Sequence, residues 1–241
     1  MLVIPALDLK NGCCVRLTQG EKDRVKIYDQ DPLSVAEQFA QAGATLLHVV
    51  DLDGAFTGGP TDNLVIVRDI VQKLKLPVQF GGGVRDEVAI VRLIELGVTH
   101  IILGTIVVAA PQLFNSLAAR YQDHLVVGID ARAGFVATHG WEHTSQLDAL
   151  TLALQLHDSG IKRIIYTDIA QDGMLAGPNL HMTRRLAQES GLKVTASGGI
   201  GTLEDIQHLK ALENDGVDSC IIGKALYERR FTLAEALKAA S

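Results

Sequence analysis

The apolar residues of this 241-residue chain gather into eight short runs rich in strand-forming types. The runs are Leu2–Leu7, Leu46–Val50, Val78–Phe80, His100–Leu103, Leu125–Ile129, Arg163–Thr167, Lys193–Ala196 and Ser219–Ile222. Several are apolar without alternation, the pattern of parallel strands covered on both faces. Helix-like stretches separate them. Pro32–Ala40 follows Asp31, an N-cap residue with Pro at the first helical position, and stops at Gly43. Asp86–Leu96 ends at Gly97 and sets Val88, Val91 and Ile94 roughly on one face. Leu147–Ser159, Leu203–Leu212 and Leu233–Ala239 read the same way. Strand followed by helix, eight times, predicts a parallel sheet. The longest non-helical insertions follow strands: Gly12–Lys26, Gly54–Asn63, Ala131–His143 and Gln171–Asn179.

The pattern also repeats itself. Leu7-Asp8-Leu9-Lys10-Asn11-Gly12 is echoed by Ile129-Asp130-Ala131-Arg132-Ala133-Gly134. Asp51 is echoed by Asp168, and Gly59-Pro60 by Gly177-Pro178. Gly81-Gly82-Gly83 matches Ser197-Gly198-Gly199, and Gly104-Thr105 matches Gly223-Lys224. Each pair is separated by about half the chain. Solenoid units run about 20–50 residues, so this period points instead to two halves of one closed structure. A single (β/α)8 barrel over residues 1–241 follows, with half-barrels near 1–122 and 123–241. An open doubly wound sheet is the alternative. In a barrel the insertions after the strands lie on the C-terminal face, where active sites form.

Composition narrows the function classes. The formal net charge is −6, without long runs of one sign, which argues against nucleic-acid binding. Nothing approaches the roughly 20 apolar residues of a membrane span. The three cysteines, Cys13, Cys14 and Cys220, form neither a disulfide framework nor a zinc spacing. These features fit a reducing cytoplasm. The eight histidines show no metal-ligand spacing, so no metal site is expected, and no GxGxxG opens a Rossmann unit.

The strand-end aspartates carry the chemistry. Asp8 and Asp130 end the first and fifth strands, which face each other across a barrel. Two carboxylates around one ligand can divide into acid and base when their surroundings push their pKa values apart. Each alone could simply cap a loop or pair with Lys10 or Arg132. The glycine turns at Gly81-Gly82-Gly83 with Gly104-Thr105, and at Ser197-Gly198-Gly199 with Gly223-Lys224, allow backbone amides to approach an anion closely. Two such sites predict a small-molecule ligand with a phosphate at each end. Around them, Arg85 could close over a phosphate, and Arg16 and Lys10 could balance charge near Asp8. Trp141 could stack on a planar base. Of Thr167, Asp168 and Asp172 beside strand six, one could bond the reacting sugar while another carboxylate holds a loop. His48 reads as packed.

These motifs, with Val50-Asp51-Leu52-Asp53-Gly54-Ala55, Gly140-Trp141 and Thr167-Asp168-Ile169, closely resemble the family of phosphoribosylformimino-aminoimidazole carboxamide ribotide isomerases of histidine biosynthesis. The resemblance spans nearly the whole chain. It implies an Amadori rearrangement of an aminoaldose to an aminoketose, without a cofactor. It also implies that Asp8 and Asp130 are the acid–base pair, assisted by Thr167 or Asp168, with the order of roles open. The sister cyclase typically has Cys at the Ala6 position and Ser at the Asp168 position, which favours the isomerase. A dual-substrate isomerase acting also on phosphoribosylanthranilate, and a silent phosphosugar-binding barrel, are the remaining alternatives. The stretch from Asp130 to Trp141 is short for the family. A self-sufficient barrel is expected to work as a monomer.

Overall fold

Chain segments with unbroken apolar runs must cover both faces, and here they do so by closing into a ring. In a computed structural model, residues 1–17, 25–59 and 61–241 are described, without the side chains of 16, 17 and 25. The strands are β1 (Leu2–Lys10), β2 (Cys13–Leu17), β3 (Val25–Asp29), β4 (Leu47–Asp51), β5 (Val78–Gly81) and β6 (His100–Leu103). They continue as β7 (Leu125–Arg132), β8 (Phe135–Thr138), β9 (His143–Asp148), β10 (Arg163–Asp168), β11 (Lys193–Ser197) and β12 (Val217–Ile222). The parallel ladder runs β10–β11–β12–β1–β4–β5–β6–β7 and closes where β7 pairs with β10. The eight apolar runs are these eight strands, and the barrel is the expected (β/α)8 architecture with a twofold internal repeat.

The four remaining strands were expected as loops. β2 and β3 form an antiparallel hairpin grown on β1, and β8 and β9 form its counterpart on β7. The register pairs Lys10 with Cys13 and Arg132 with Phe135, leaving two-residue turns at Asn11-Gly12 and Ala133-Gly134. All four turn residues have positive φ, between 50° and 85°, as tight hairpins of this kind require. A third expected loop, Gly54–Asn63, begins inside a helix, Leu52–Thr57, capped by Asp51. Pro60 and the side chain of Arg16 lie outside the described residues.

The core has two parts. Ile4, Ala6, Leu46, Val126, Ile165 and Ile221 pack inside the barrel, as every second strand residue must. A larger cluster fills the space between the strands and the helices. Helix Pro32–Gln41 starts as read, with the Asp31 side chain accepting from the Leu33 and Ser34 amides. The helix Glu87–Glu95 is turned from its expected face. Ile90 and Leu93 are buried, while Val88 is 75% exposed. Apolar residues surround this helix at two i, i+3 spacings, and the pair nearer the sheet is the one buried. Among the described residues no helix is long and apolar enough to cross a membrane.

Candidate active site

The barrel mouth opens into one cavity, and two aspartates enter it from opposite walls. Asp8 on β1 is buried, and Asp130 on β7 is half-buried, facing the cavity. Their strand neighbours differ. Asp8 lies beside Val50 in the β1–β4 register, and Asp130 beside Thr167 in the β7–β10 register. Burial pushes the Asp130 carboxyl above the usual carboxylate range, against hydrogen bonds from Trp141 and Thr167 that pull it down. The indole Nε1–H of Trp141 donates to Asp130 Oδ2 at 2.8 Å. Beneath the aspartates the lining turns apolar, with Ile102, Ile165 and Ile221 forming the floor. A carboxyl buried above such a floor holds its proton more tightly than an exposed aspartate does, and the two donors oppose that shift.

The glycine turns flank this pair on both sides. Gly82 and Gly83 carry φ of 114° and 73°, and Gly198 and Gly199 carry 85° and 83°. Side chains are excluded there on steric grounds as well. A Cβ on Gly82 would overlap the Asp51 carbonyl, and one on Gly199 would overlap the Gly177 carbonyl. The next turns match still more closely. Gly104 has φ −119°, ψ −93°, and Gly223 has φ −113°, ψ −92°. Each leads into a short helical turn, Thr105–Ala109 or Lys224–Tyr227, with no side-chain cap bond. The first amides of these turns keep their donors for an anion. Gly81, Gly82, Gly83, Gly104 and Thr105 line one side of the cavity, and Ser197, Gly198, Gly199, Gly223 and Lys224 the other.

Not every candidate faces the cavity. Asp168, read from the sequence as a catalytic candidate, points outward and does not line it. Its Oδ1 accepts from the Ala170 amide at 3.0 Å, and its Oδ2 from Asn179 Nδ2 at 2.7 Å. It is the loop-holding carboxylate, and Asp172 is the one that reaches the cavity. Strand alternation is the reason: with Ile165 and Thr167 inside, Asp168 must be outside. Asp51 plays the same part in the first half, accepting from the Gly54 amide, Thr61 Oγ1 and Asn63 Nδ2 at 3.0, 2.6 and 2.7 Å. Gly177 also stands behind the wall; its amide donates to the Gly199 carbonyl at 3.0 Å and so supports that turn.

Arg85 and Trp141 do reach the mouth. Arg85 lies against Gly58, where a Cβ would overlap its guanidinium, and its Nη2 donates to the Ala55 carbonyl at 3.4 Å. Lys224 Nζ donates to the Gly173 carbonyl at 2.6 Å. His48, expected to be packed, lines the cavity and meets Gln79 Nε2 at 3.0 Å through its Nδ1. Its position two residues before Val50 on an inward-facing register was the signal for it. Phe56 and His139 also line the rim and carried no sequence signal of their own.

Comparison with known proteins accords with this site. The family model described as "Histidine biosynthesis protein" matches residues 2–232. A 1-(5-phosphoribosyl)-5-((5-phosphoribosylamino)methylideneamino) imidazole-4-carboxamide isomerase of Heliobacterium modesticaldum is 46% identical over 240 residues, covering 100% of this chain and 98% of its own. Isomerases of the same name from Desulforudis audaxviator and a Synechococcus species are 48% and 49% identical. They cover 98% and 99% of this chain, and 90% and 93% of their own. A match over almost the whole barrel, aspartates and glycine turns included, means that this chain belongs to the histidine biosynthesis protein family.

Proposed function

We propose that this chain is an aldose–ketose isomerase of histidine biosynthesis. Its substrate is the formimino-linked bis-phosphate aminoaldose, and its reaction is the Amadori rearrangement to the aminoketose. The observation that carries the reading is the pair of aspartates in one cavity, set between two matched glycine turns. The relatives named as this isomerase support the substrate class. One phosphate sits at Gly82-Gly83 and Gly104-Thr105, the other at Gly198-Gly199 and Gly223-Lys224. The sugar that reacts lies between.

Asp130 is the general acid. Burial raises its carboxyl, so it keeps its proton to higher pH than an ordinary aspartate. It protonates the ribose ring oxygen, the C1–O bond breaks, and a protonated Schiff base forms. Asp8 is the general base and removes the proton from C2. The resulting enolaminol then ketonises, with the oxygen at C2 becoming the carbonyl and C1 gaining a proton. Thr167, buried beside Asp130, orients that carboxyl. General acid–base groups of this kind each contribute about 10²- to 10⁴-fold. The chain works as a cytoplasmic monomer on a small molecule, with no cofactor, nucleic acid or membrane in the reaction.

The test is turnover of the purified protein on that substrate, coupled through a cyclase and ammonia and followed by absorbance. Turnover that depends on this chain is the expected result. Binding without turnover would instead favour a silent phosphosugar-binding barrel. Neither binding nor turnover would redirect attention to the cyclase and phosphoribosylanthranilate reactions.

A further inference from the structure

One edge of β1 changes partner just before Asp8. Leu2 to Pro5 pair with β12 in parallel, and Asp8 to Lys10 pair with β2 antiparallel. β4 holds the other edge from Ala6 to Leu9, so β12 and β2 share this one. Between their two ladders lies a gap at Ala6 and Leu7. Such a gap leaves backbone groups that must be paired in some other way. The Ala6 carbonyl accepts from the Tyr227 hydroxyl at 3.0 Å.

Tyr227 comes from the turn proposed to hold the second phosphate. It ends the short helical turn Lys224–Tyr227, which opens at Gly223 directly after β12. The phenol is fixed from several sides. Its ring lies 5.0 Å, tilted, from that of Tyr28 on β3, and 6.1 Å, edge-on, from that of Phe39 on the helix Pro32–Gln41. Its oxygen also bonds Cys14 on β2. Burial pushes that thiol up to about 12, so the S–H keeps its proton and is the donor there, while the phenol proton goes to Ala6. The next residue, Glu228, accepts from the Tyr28 hydroxyl and from Lys26 Nζ, the latter at 2.7 Å. One side chain thus joins the anion turn, the hairpin and the strand that carries Asp8. The matching residue of the first half lacks the means. Counted from Gly104 as Tyr227 is from Gly223, it is Val108, which has no hydroxyl.

We propose that Tyr227 is a positioning residue that sets Asp8 against the second phosphate turn. The inference rests on the roles given above to Asp8 and to the Gly223-Lys224 turn. A substrate held by a phosphate at each end brings its C2 to a point fixed by the turns. The base must meet that point closely, since an error of about 1 Å can cost on the order of 10²-fold in rate. β1 and β12 lie at opposite ends of the sequence, and their ladder stops at Pro5 and Ile222, short of the mouth. The phenol bond crosses the opening beyond it. Tyr227 does not line the cavity, so it acts through Ala6 and β1 and not on the substrate.

The test is Tyr227→Phe, which keeps the ring contacts and removes the hydroxyl. Steady-state kinetics on the aminoaldose should show kcat lowered about 10-fold, with KM within about twofold of the wild type. A calorimetric titration with inorganic phosphate should give the wild-type affinity, because the amides of the turn are untouched. A purely structural phenol would lower the midpoint of thermal unfolding and leave kcat unchanged, which would overturn the proposal. Weaker phosphate binding with a raised KM would show that the hydroxyl shapes the turn itself, and would overturn it as well. An inactive wild type would remove the isomerase reading together with the tie built on it. An active wild type matched by Tyr227→Phe would remove the tie alone.

Discussion

The two halves of the barrel share a backbone and differ in what they set beside their aspartates. Each half grows a hairpin on its first strand and anchors a loop with an Asp–Asn pair, Asp51 with Asn63 or Asp168 with Asn179. Each ends its fourth strand in a glycine of nearly the same φ and ψ. The contrast is local. Val50 neighbours Asp8 where Thr167 neighbours Asp130, and Thr105 stands where Lys224 does. A duplicated frame supplies the geometry, and on the proposed function a few unmatched side chains divide one carboxylate pair into an acid and a base.

The strongest way to break that division is to neutralise each carboxylate in turn. Asp8→Asn and Asp130→Asn should each lower kcat by about 10²- to 10⁴-fold, with substrate binding kept in a calorimetric titration. The pH profiles of the residual activities should differ. A base must be ionised and an acid protonated, so Asp8→Asn should lose the acidic limb and Asp130→Asn the alkaline limb. The opposite pattern would reverse the roles. Next in size are the glycine turns. Gly82→Ala and Gly199→Ala should each raise KM about 10- to 100-fold, since the added Cβ displaces the backbone that holds a phosphate by charge-assisted bonds. An effect in one half alone would show that only one turn meets a phosphate.

The anchors give a smaller and unequal pair of effects. Asn63 is buried and bonds both Asp51 and Asp53 at 2.7 and 3.0 Å, and its Oδ1 accepts from the Gly12 amide at 3.0 Å. Asn179 bonds Asp168 and caps its helix through the Met182 amide. Urea unfolding should show Asn63→Ala losing about 3 kcal/mol and Asn179→Ala about 1–2 kcal/mol. Equal losses would mean the first anchor's extra bonds add nothing. Smallest is Thr167→Val, which makes the second half copy the first at this position more closely. It removes a hydrogen bond that lowers the Asp130 pKa, so the alkaline limb should rise by less than about one pH unit. A fall in that limb would contradict the bond.

Much of this was legible in the sequence, and the misses have physical causes. Unbroken apolar runs located all eight barrel strands because covered parallel strands leave little else they can be. Spaced repetition located both aspartates and both glycine turns. Asn11-Gly12 is a hairpin signal set among polar residues that also suit a loop, and Ala133-Gly134 is its weaker echo. Thr167 and Asp168 are neighbours at the end of one run and read alike as candidates; counting alternate residues from Ile165 separates them. The Trp141–Asp130 bond had no local trace. It depends on three consecutive left-handed residues, one of them Trp141, a bulky type that rarely adopts that conformation.

The near-identity of the Gly104 and Gly223 turns carries a consequence about direction. A trough with an anion turn at each end and a carboxylate on each wall is almost unchanged by a half-rotation. On the proposed function, a ligand with a phosphate at both ends can enter it backwards, offering its ring oxygen to the base and its carbon acid to the acid. Such a complex would be non-productive and would lower kcat and KM together. The backbone has no preference between the two arrivals. The two ends differ as a cation differs from a hydroxyl, Lys224 and Thr105, and the walls as a hydroxyl differs from an isopropyl group, Thr167 and Val50. Four side chains thus give polarity to a scaffold that has almost none of its own.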